Sequence, residues 1–461
     1  METPDEQRIV FYNTMTRRKE VFQEREPGTV RIFTCGPSIY RRPHLGNYRT
    51  FVFEDVLQRY MEYRGFNVHR MINFTDLEDK AITESKEKRV SLRDLTEPNA
   101  QTFLSDGKLL KLKLPEPIPR STTSVDQAAD LIARLIENGH AYWHDGNVYY
   151  DALSHPTFGA VYGLDLSRWP KKRYRFSRDT YPGQRWNLGD FILWHGHREG
   201  QYSWDTKIGR GRPAWNVQDP AMITKHMGYE LDIHCGGIDN VYRHHDYNRA
   251  VVEGVTGTEL AHYWLHGEHL FVDNQKMSKS KGNVVYPEDL VSAGRSGSEI
   301  RFFLLYGYYR RKGNLTNETL DRAAGVLATL RERTAALVGA DPDRRRRGAG
   351  RADAAAGAGG AATAGDTTGA RGSREDRSGK AQRGISRADT ASIDRLVGEI
   401  TPLFTAEMDN DLHTDAAIDN VSRLLEVLVR REKEIAPAQT ERIRQQLTEI
   451  DHVLQVLDLA P

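Results

Sequence analysis

Two lysines in a short loop carry the clearest chemical signal in the sequence. Lys276 and Lys279 stand three residues apart in the run KMSKS, in which serines alternate with the basic residues. The run is followed by Lys281-Gly282-Asn283. Ammonium groups on a mobile, glycine-flanked loop can close over phosphate oxygens and neutralise the charge there. Taken alone, the run is also compatible with a solvated basic loop, so its meaning depends on a second motif.

The second motif is PHLGN at Pro43–Asn47, about 230 residues earlier in the chain. It stands where a predicted loop runs into a predicted helix, and a helix N-terminus offers unpaired N–H groups to a polyphosphate. Gly46 lets the backbone approach a ligand closely. His44 and Asn47 add side-chain donors on the same turn. HLGN alone is a weak signal, but together with KMSKS it indicates nucleotide binding.

The elements that must position these motifs follow an α/β pattern. Val30–Thr34 is an apolar, β-branched run that predicts a strand, followed by a loop at Cys35-Gly36-Pro37. Phe51–Tyr63 has apolar residues at helical spacing, and Val68–Phe74 predicts the next strand. Strand, loop, helix and strand within about 45 residues are typical of a parallel sheet.

Near the C-terminus the apolar residues recur at helical spacing and predict a small helical bundle. They are Ile393, Leu396, Ile400, Leu403, Ile418, Val421, Leu424, Leu425 and Leu428.

Composition excludes several classes of protein. The 461 residues include 65 Lys and Arg against 64 Asp and Glu, so a net charge of +1 gives no electrostatic argument for nucleic acid, membrane or acidic partners. No run of about 18 apolar residues exists, which excludes a membrane-spanning helix and predicts no membrane partner. The start METPDEQRIV does not resemble a secretory signal. Two cysteines, Cys35 and Cys235, exclude a disulfide framework and predict a reduced, cytoplasmic protein.

One segment differs from the rest of the chain. From Asp341 to Gly384, apart from Pro342, no apolar side chain is larger than alanine, which predicts disorder. The segment holds ten Lys and Arg and six Asp and Glu, a net +4, which leaves 1 − 4 = −3 for the remainder. Its run Arg344–Arg347 is either part of a solvated linker or a loose electrostatic tether for RNA phosphates.

The two motifs resemble the HIGH and KMSKS signatures of class I aminoacyl-tRNA synthetases. Neighbouring runs narrow the resemblance to the cysteinyl-tRNA synthetase family, over about residues 12–340 and more weakly at 408–411. These runs are FTCGPSIY at 33–40, NFTDLEDK at 73–80, DFILW at 190–194, SWD at 203–205, GRPAW at 211–215, DIHCGGID at 232–239 and the pair His244-His245.

The resemblance implies an α/β fold in which a Rossmann-like parallel-sheet catalytic domain carries an inserted connective domain and is followed by a C-terminal α-helical bundle. The boundaries we predict are 1–120 for the first catalytic half, 121–214 for the insertion, 215–290 for the second catalytic half, 291–340 for a helical junction, 341–386 for a disordered linker and 387–461 for the bundle.

The resemblance also implies an activity: ATP-dependent formation of an aminoacyl-adenylate, with cysteine as the first candidate, and transfer to the 3′ end of tRNA. ATP and Mg²⁺ are the implied cofactors, and the acceptor arm of tRNA and the amino acid are the implied partners. Two alternatives stay open: a ligase of the same fold that passes the amino acid to a small amine or carrier, and a non-catalytic binding protein. Whether the chain is a monomer or a dimer stays open as well.

Matching positions then supply the candidate site residues. The catalytic candidates are His44, Asn47, Lys276 and Lys279. The ATP-binding candidates are His44, Gly46, Asn47, Lys276, Met277, Ser278, Lys279 and Ser280. The amino-acid-binding candidates are Cys35, Thr75, Trp215 and Asp239, the last as a partner for the α-ammonium group.

A zinc ion, held by two cysteines, a histidine and a glutamate, is also implied by the resemblance. Cys35 and His244 match two of these ligands, but Asp219 stands at the second cysteine position and Asn248 at the glutamate position. A carboxylate can still bind zinc, whereas an amide is a poor ligand. Cys235 replaces a family glycine, and it either fills space or joins a rearranged Cys35/Cys235/His244/Asp219 site. These changes predict altered or relaxed amino-acid choice.

The family usually continues past its bundle into a small domain that reads the anticodon. Here the sequence stops soon after the run VLQVLDL at 453–459, which resembles the last helix of the bundle. We therefore expect acceptor-arm binding without anticodon reading by this polypeptide, an expectation that also favours the small-amine alternative.

Overall fold

The computed structural model of the chain describes residues 8–165, 190–278, 281–339 and 391–459. The predicted linker at 341–386 lies outside these residues. The strands within them are β1 Val10–Asn13, β2 Arg18–Val21, β3 Thr29–Thr34, β4 Asn67–Ile72, β5 Ala141–His144, β6 Asn147–Tyr150, β7 Phe191–Gly196, β8 Trp204–Thr206, β9 Gly209–Pro213, β10 Leu231–Gly237, β11 Ala261–Gly267, β12 Leu270–Val272, β13 Gln275–Lys276 and β14 Gly313–Leu315.

The helices range from a single turn to 22 residues. They are α1 Leu45–Tyr63, α2 Asp79–Lys88, α3 Leu92–Leu109, α4 Val125–Glu137, α5 Trp215–His226, α6 Ile238–Asn240, α7 Asp246–Thr256, α8 Pro287–Ser292, α9 Gly297–Leu305, α10 Asn317–Val338, α11 Ile393–Gly398, α12 Ile400–Met408, α13 Thr414–Arg430 and α14 Pro437–Leu454. A π-helical turn, Val241–His245, joins α6 to α7.

A four-stranded parallel sheet with the order β11-β10-β3-β4 forms the centre of the catalytic half. It confirms the strand, helix and strand predicted from Val30 to Phe74. The helix begins earlier than its apolar pattern indicates, at Leu45, because His44 and Asn47 cap it. Since the strands run in one direction, the loops that follow them meet at one edge of the sheet.

Burial explains why these segments become strands of a parallel sheet. Val30, Ile32 and Phe33 of β3 are fully buried, as are Ile233 and Cys235 of β10. A sheet covered on both faces needs apolar residues on both sides of each strand, which an unbroken apolar run provides. The fold class predicted from sequence, a Rossmann-like parallel sheet, is confirmed.

The second sheet is antiparallel and has the order β5-β6-β7-β9-β8. All of its strands lie within the 121–214 segment that we predict as an insertion. Its apolar face packs against α4, α5 and α7, and Phe191 stacks between Tyr150 and Tyr247 with ring centroids 4.8 and 3.9 Å apart. This packing anchors α5, which begins at Trp215, and α7, which follows the π turn.

The chain divides into two compact units. The first comprises Met1–Ala324, Met408–Asp415 and Val453–Val456, and the second comprises Gly325–Glu407, Ala416–His452 and Leu457–Pro461. In the described part of the second unit the predicted helical periodicity is confirmed, with Leu396, Ile400 and Leu425 buried. No helix in the described residues is long and apolar enough to cross a membrane.

Candidate active site

The candidate site lies where the four parallel strands end. Cys35 directly follows β3 and Asn73 directly follows β4, while Gly237 and Gly267 are the last residues of β10 and β11. Two adjoining pockets open at this edge. We call them the motif pocket and the Cys35 pocket.

Predicted site residues make up half of the lining of each pocket. The motif pocket is lined by His44, Gly46, Asn47, Thr50, Gly237, Asp239, Gly267, Glu268, His269, Leu270, Lys276 and Met277. The Cys35 pocket is lined by Cys35, Gly36, Pro37, Ser38, Asn47, Thr50, Phe51, Thr75, Trp215, Asp219, Gly237, Asp239, Asn240 and His244.

The start of α1 shapes the motif pocket. The backbone N–H of His44 donates to Asn47 Oδ1 at 3.0 Å, which closes the first turn of the helix. A Cβ at Gly46 would lie only 3.1 Å from the His44 ring and 3.5 Å from Met277 Cε. Glycine is therefore the residue that lets the His44 imidazole fold over the helix start, where the positive end of the dipole of a 19-residue helix favours an anion.

The opposite side of the motif pocket is a loop held by Asn283. Its Oδ1 accepts from the Ser278 N–H at 2.8 Å, and its Nδ2 donates to the Lys276 carbonyl at 3.3 Å. Lys276 Nζ lies 3.4 Å from His269 Nε2. Lys279 and Ser280 lie outside the described residues, so their catalytic and ATP-binding roles stay predictions.

Sequence reasoning missed the lining residues Thr50, Glu268 and His269 and gave no role to the Asn283 bridge. Asn283 stands four residues after Lys279. An asparagine that closely follows a basic loop was the available signal, because amide side chains commonly fix turns.

Asp239 belongs to both pockets, as do Asn47, Thr50 and Gly237. A Cβ at Gly237 would lie 2.6 Å from Asp239 Oδ1, so the absence of a side chain at Gly237 makes room for that carboxylate. Two ligands in the two pockets would meet along this shared wall.

A buried cluster of donor atoms forms one end of the Cys35 pocket. Cys35 Sγ lies 3.2 Å from Asp219 Oδ2, and His244 Nε2 lies 2.8 Å from the same oxygen. Asp219 Oδ1 accepts from Asn73 Nδ2 at 2.9 Å. Burial, and then the charge of Asp219, raises the pKa of the Cys35 thiol well above its ordinary value.

A line of imidazoles leads away from this cluster. Cys35 Sγ lies 3.1 Å from His245 Nε2, His245 Nδ1 lies 2.7 Å from His266 Nε2, and His266 Nδ1 lies 2.8 Å from Thr14 Oγ1. Burial lowers the pKa of His245 well below its ordinary value, and burial followed by the charge of Arg17 lowers the pKa of His266 to about 3. These imidazoles are therefore neutral at neutral pH.

Sequence reasoning gave no role to His266 or Thr14. Thr14 is 252 residues from its partner His266, and no local pattern links them.

The π turn Val241–His245 brings two consecutive imidazoles to the cluster. Arg243, in the middle of the turn, has the left-handed φ of 79°, which costs backbone energy in a residue with a side chain. His244 is also held by Trp215, whose ring stacks on it with centroids 3.9 Å apart. The first residue of α5 thus fixes the imidazole that faces Asp219.

Cys235 lies on the other side of the sheet from Cys35. It pairs in register with Thr34, the residue before Cys35, and alternate residues of a strand face opposite sides. Among the described residues, the groups with metal-ligand spacing are Cys35/Asp219/His244 and Cys35/His234/His245. Cys235 belongs to neither group, so we leave it out of the proposed ligand set.

Asn248 packs against a histidine rather than against the pocket. Its Nδ2 lies 3.5 Å from His234 Nε2, and the residue is fully buried. Of the predicted metal-site residues, the structure therefore brings together Cys35, Asp219 and His244, and keeps Asn248 and Cys235 off the wall of the Cys35 pocket.

Comparison with known proteins gives one consistent family. A family model described as "tRNA synthetases class I (C) catalytic domain" matches residues 21–325. The chain is 38% identical over 322 residues to a cysteine--tRNA ligase of Brachyspira hyodysenteriae, covering 69% of this chain and 68% of the relative. It is 37% identical over 337 residues to a cysteine--tRNA ligase of Chlamydia pneumoniae, covering 72% and 70%.

Solved structures agree on the fold. A methionyl-tRNA synthetase of Mycobacterium tuberculosis in complex with methionyl-adenylate superimposes with a TM-score of 0.59 at 15% identity, covering 93% of this chain and 90% of the other. A LeuRS–tRNA–LeuAMS ternary complex of Agrobacterium radiobacter K84 superimposes with a TM-score of 0.61 at 12% identity, covering 95% of this chain and 85% of the other. On the family model and the curated relatives, the chain belongs to the cysteinyl-tRNA synthetase family of class I aminoacyl-tRNA synthetases.

Proposed function

We propose that this protein activates an amino acid with ATP and transfers it to the 3′ end of tRNA, with cysteine as the first candidate. The observation that carries the proposal is the wall shared by the two pockets. Asp239 and Asn47 line both, so an amino acid in the Cys35 pocket and ATP in the motif pocket would present their reacting groups to each other. Such positioning is a large part of catalysis for a two-substrate reaction.

In the first step, an oxygen of the amino-acid carboxylate attacks the α-phosphorus of ATP in line. A carboxylate–phosphorus bond forms, the bond from that phosphorus to the bridging oxygen breaks, and the electron pair leaves with pyrophosphate. His44, Asn47 and the start of α1 are the proposed binding groups for the triphosphate. Lys276 and Lys279 are the proposed partners of the leaving pyrophosphate. Mg²⁺ would be coordinated by the phosphates.

The amino-acid side of the proposal rests on the Cys35 pocket. Asp239 is the proposed partner of the α-ammonium group, with Thr75 and Trp215 on the pocket wall. Cys35, Asp219 and His244 offer sulfur, oxygen and nitrogen donors that suit zinc, and the His244 Nδ1 atom is buried without a partner among the described residues. When bound, zinc would supply a soft Lewis acid for the thiolate of the substrate.

ATP–pyrophosphate exchange across a panel of amino acids tests activation. We expect exchange with cysteine, and none with any amino acid would overturn the proposal. Charging of total tRNA with the amino acid that supports exchange tests the acceptor. Exchange without charging would exclude tRNA and favour transfer to a small amine or carrier.

A reducing cytoplasmic setting is part of the proposal, because both cysteines are free thiols.

A further inference from the structure

We infer that His269 is a positioning residue of the motif pocket, whose neutral imidazole accepts a hydrogen bond from the ammonium group of Lys276 and holds that group toward the phosphates of the nucleotide. The inference deepens the proposed function and rests on it, because it takes phosphate as the ligand of Lys276. Its test includes a binding measurement that does not depend on turnover, so the two proposals can fail separately.

The direction of the hydrogen bond follows from the chemistry of the two groups. Lys276 Nζ lies 3.4 Å from His269 Nε2. An ammonium group carries three N–H donors and no acceptor, so the imidazole nitrogen must be the acceptor. The proton of the neutral ring is then on Nδ1. Because one donor of Lys276 is used in this contact, two are left for phosphate oxygens.

The sheet with the order β13-β12-β14 brings the two side chains together. Lys276 of β13 pairs in register with Phe271 of β12, and His269 stands two residues before Phe271. Cross-strand partners and alternate residues of a strand face the same side of a sheet. The His269 ring lies edge to face with the Phe271 ring, and the His269 carbonyl accepts from the Gly313 N–H at 2.9 Å. The imidazole is therefore placed by the sheet rather than by a chance rotamer.

The main chain of Lys276 is held as well, by the amide of Asn283, whose Nδ2 donates to the Lys276 carbonyl at 3.3 Å. The side chain itself is exposed. An exposed lysine loses much rotamer freedom when a ligand fixes its ammonium group. Because His269 restricts that group beforehand, less freedom is left to be lost when phosphates bind.

The surroundings of His269 favour the neutral ring. Burial is the largest cause, and it lowers the pKa of His269 below its ordinary value. The charged groups that face the ring are the carboxylates Asp239 and Glu268, which raise this pKa, and the ammonium groups Lys276 and Lys312, which lower it. Protonation would remove the acceptor and place a second cation beside Lys276. The contact is therefore lost as the pH falls through the pKa of His269.

ATP–pyrophosphate exchange, with the amino acid that supports it, tests the positioning role. His269→Ala should lower kcat about tenfold, less than Lys276→Ala does, because the ammonium group stays but loses a partner. His269→Gln should stay within about twofold of the wild type, since an amide oxygen can accept the same hydrogen bond. His262→Ala, which changes an exposed histidine of β11 next to Glu259, is the matched control and should keep the wild-type rate.

A double-mutant cycle separates positioning from direct contact with the nucleotide. In the Lys276→Ala background, His269→Ala should change kcat by less than about twofold, because the imidazole acts through the lysine. A further loss of about tenfold in that background would overturn the inference in favour of an imidazole that contacts ATP itself. An unchanged rate in His269→Ala, or a His269→Gln variant as slow as His269→Ala, would also overturn it.

The pH dependence gives a readout that a merely structural role would not change. The ratio of the wild-type exchange rate to that of His269→Gln should fall as the pH is lowered from about 7.5 to about 5.0, since protonation removes the acceptor only in the wild type. A constant ratio would overturn the inference. Circular dichroism confirms the folding of each variant, and the comparison with His269→Gln decides if His269→Ala does not fold.

Calorimetric titration with inorganic pyrophosphate is the measurement that needs no turnover. His269→Ala should bind pyrophosphate about tenfold more weakly than the wild type, and Lys276→Ala should bind it as weakly as the double variant. Equal affinities of the wild type and His269→Ala would overturn the inference. If the wild type supports exchange with no amino acid, the proposed function fails, and this titration still decides the role of His269.

Discussion

The two adjoining pockets are built in different ways. The motif pocket depends on local structure: a helix start capped by Asn47, a glycine that makes room for His44, and a short loop bridged by Asn283. The Cys35 pocket depends on buried contacts between residues far apart in sequence, such as Asp219 with Cys35 and with Asn73. The pocket that we propose for ATP is thus built from short motifs, whereas the pocket that we propose for the amino acid depends on contacts between distant residues.

The largest effect should come from the motif pocket. Lys276→Ala should slow ATP–pyrophosphate exchange about 100- to 1,000-fold, because it removes the charge that we propose stabilises the leaving pyrophosphate. Lys88→Ala, on the surface of α2 where Lys88 pairs with Glu84, is the matched control and should keep the wild-type rate. An unchanged rate in Lys276→Ala would remove the lysine from the mechanism.

The next effect comes from the buried imidazoles and concerns how the free energy of unfolding changes at acid pH. The folded pKa of His266 is about 3 against an ordinary 6.5, so the unfolded chain binds more protons between these values and stability falls as the pH drops below 6.5. Between pH 7.5 and pH 5.0 the free energy of unfolding of the wild type should fall by about 2 kcal/mol more than that of His266→Gln. Urea unfolding, followed by tryptophan fluorescence, measures the free energy of unfolding of both proteins at each pH. An equal decrease in the two proteins would contradict a neutral buried His266.

A smaller effect is expected from crowding the motif pocket. Gly46→Ala places a methyl group 3.1 Å from the His44 ring, which must shift away from the helix start. We expect the KM for ATP to rise about tenfold, in line with an overpacking cost of roughly 1–3 kcal/mol. The KM for the amino acid should stay unchanged, and a parallel rise in both constants would indicate general damage rather than a local clash.

The smallest effect should come from the thiol on the far face of the sheet. Cys235→Ala removes a buried sulfur and should lower the free energy of unfolding by about 1 kcal/mol. Its Co²⁺ affinity should equal that of the wild type, since Cys235 belongs to neither group with metal-ligand spacing in the described chain. A loss of affinity would return Cys235 to the ligand set.

The parts of the fold with a local signal could be predicted from the sequence. The β-branched run at Val30–Thr34 and the helical spacing over Phe51–Tyr63 identify the start of the parallel sheet, and both are confirmed. The first residues of α1 carry no apolar pattern, because their helical state depends on the cap formed by His44 and Asn47.

The candidate site divides in the same way. KMSKS and PHLGN locate the motif pocket because each is a continuous run. Asn73, which follows β4, orients Asp219 of α5 from 146 residues away, and His266 of β11 contacts Thr14, which follows β1. Both contacts arise only when these distant elements pack together. The face on which Cys235 lies depends on strand register, which composition does not contain.

The π turn Val241–His245 limits how this pocket could be transplanted. A regular α-helix would direct successive side chains about 100° apart. The π turn sets the directions in which His245 contacts Cys35 and His244 contacts Asp219. The strained Arg243 marks where that extra backbone is accommodated. A designer who moves Cys35, Asp219 and His244 onto another class I scaffold should therefore transfer the whole turn, because single substitutions in a regular helix would supply the side chains without the backbone that orients them.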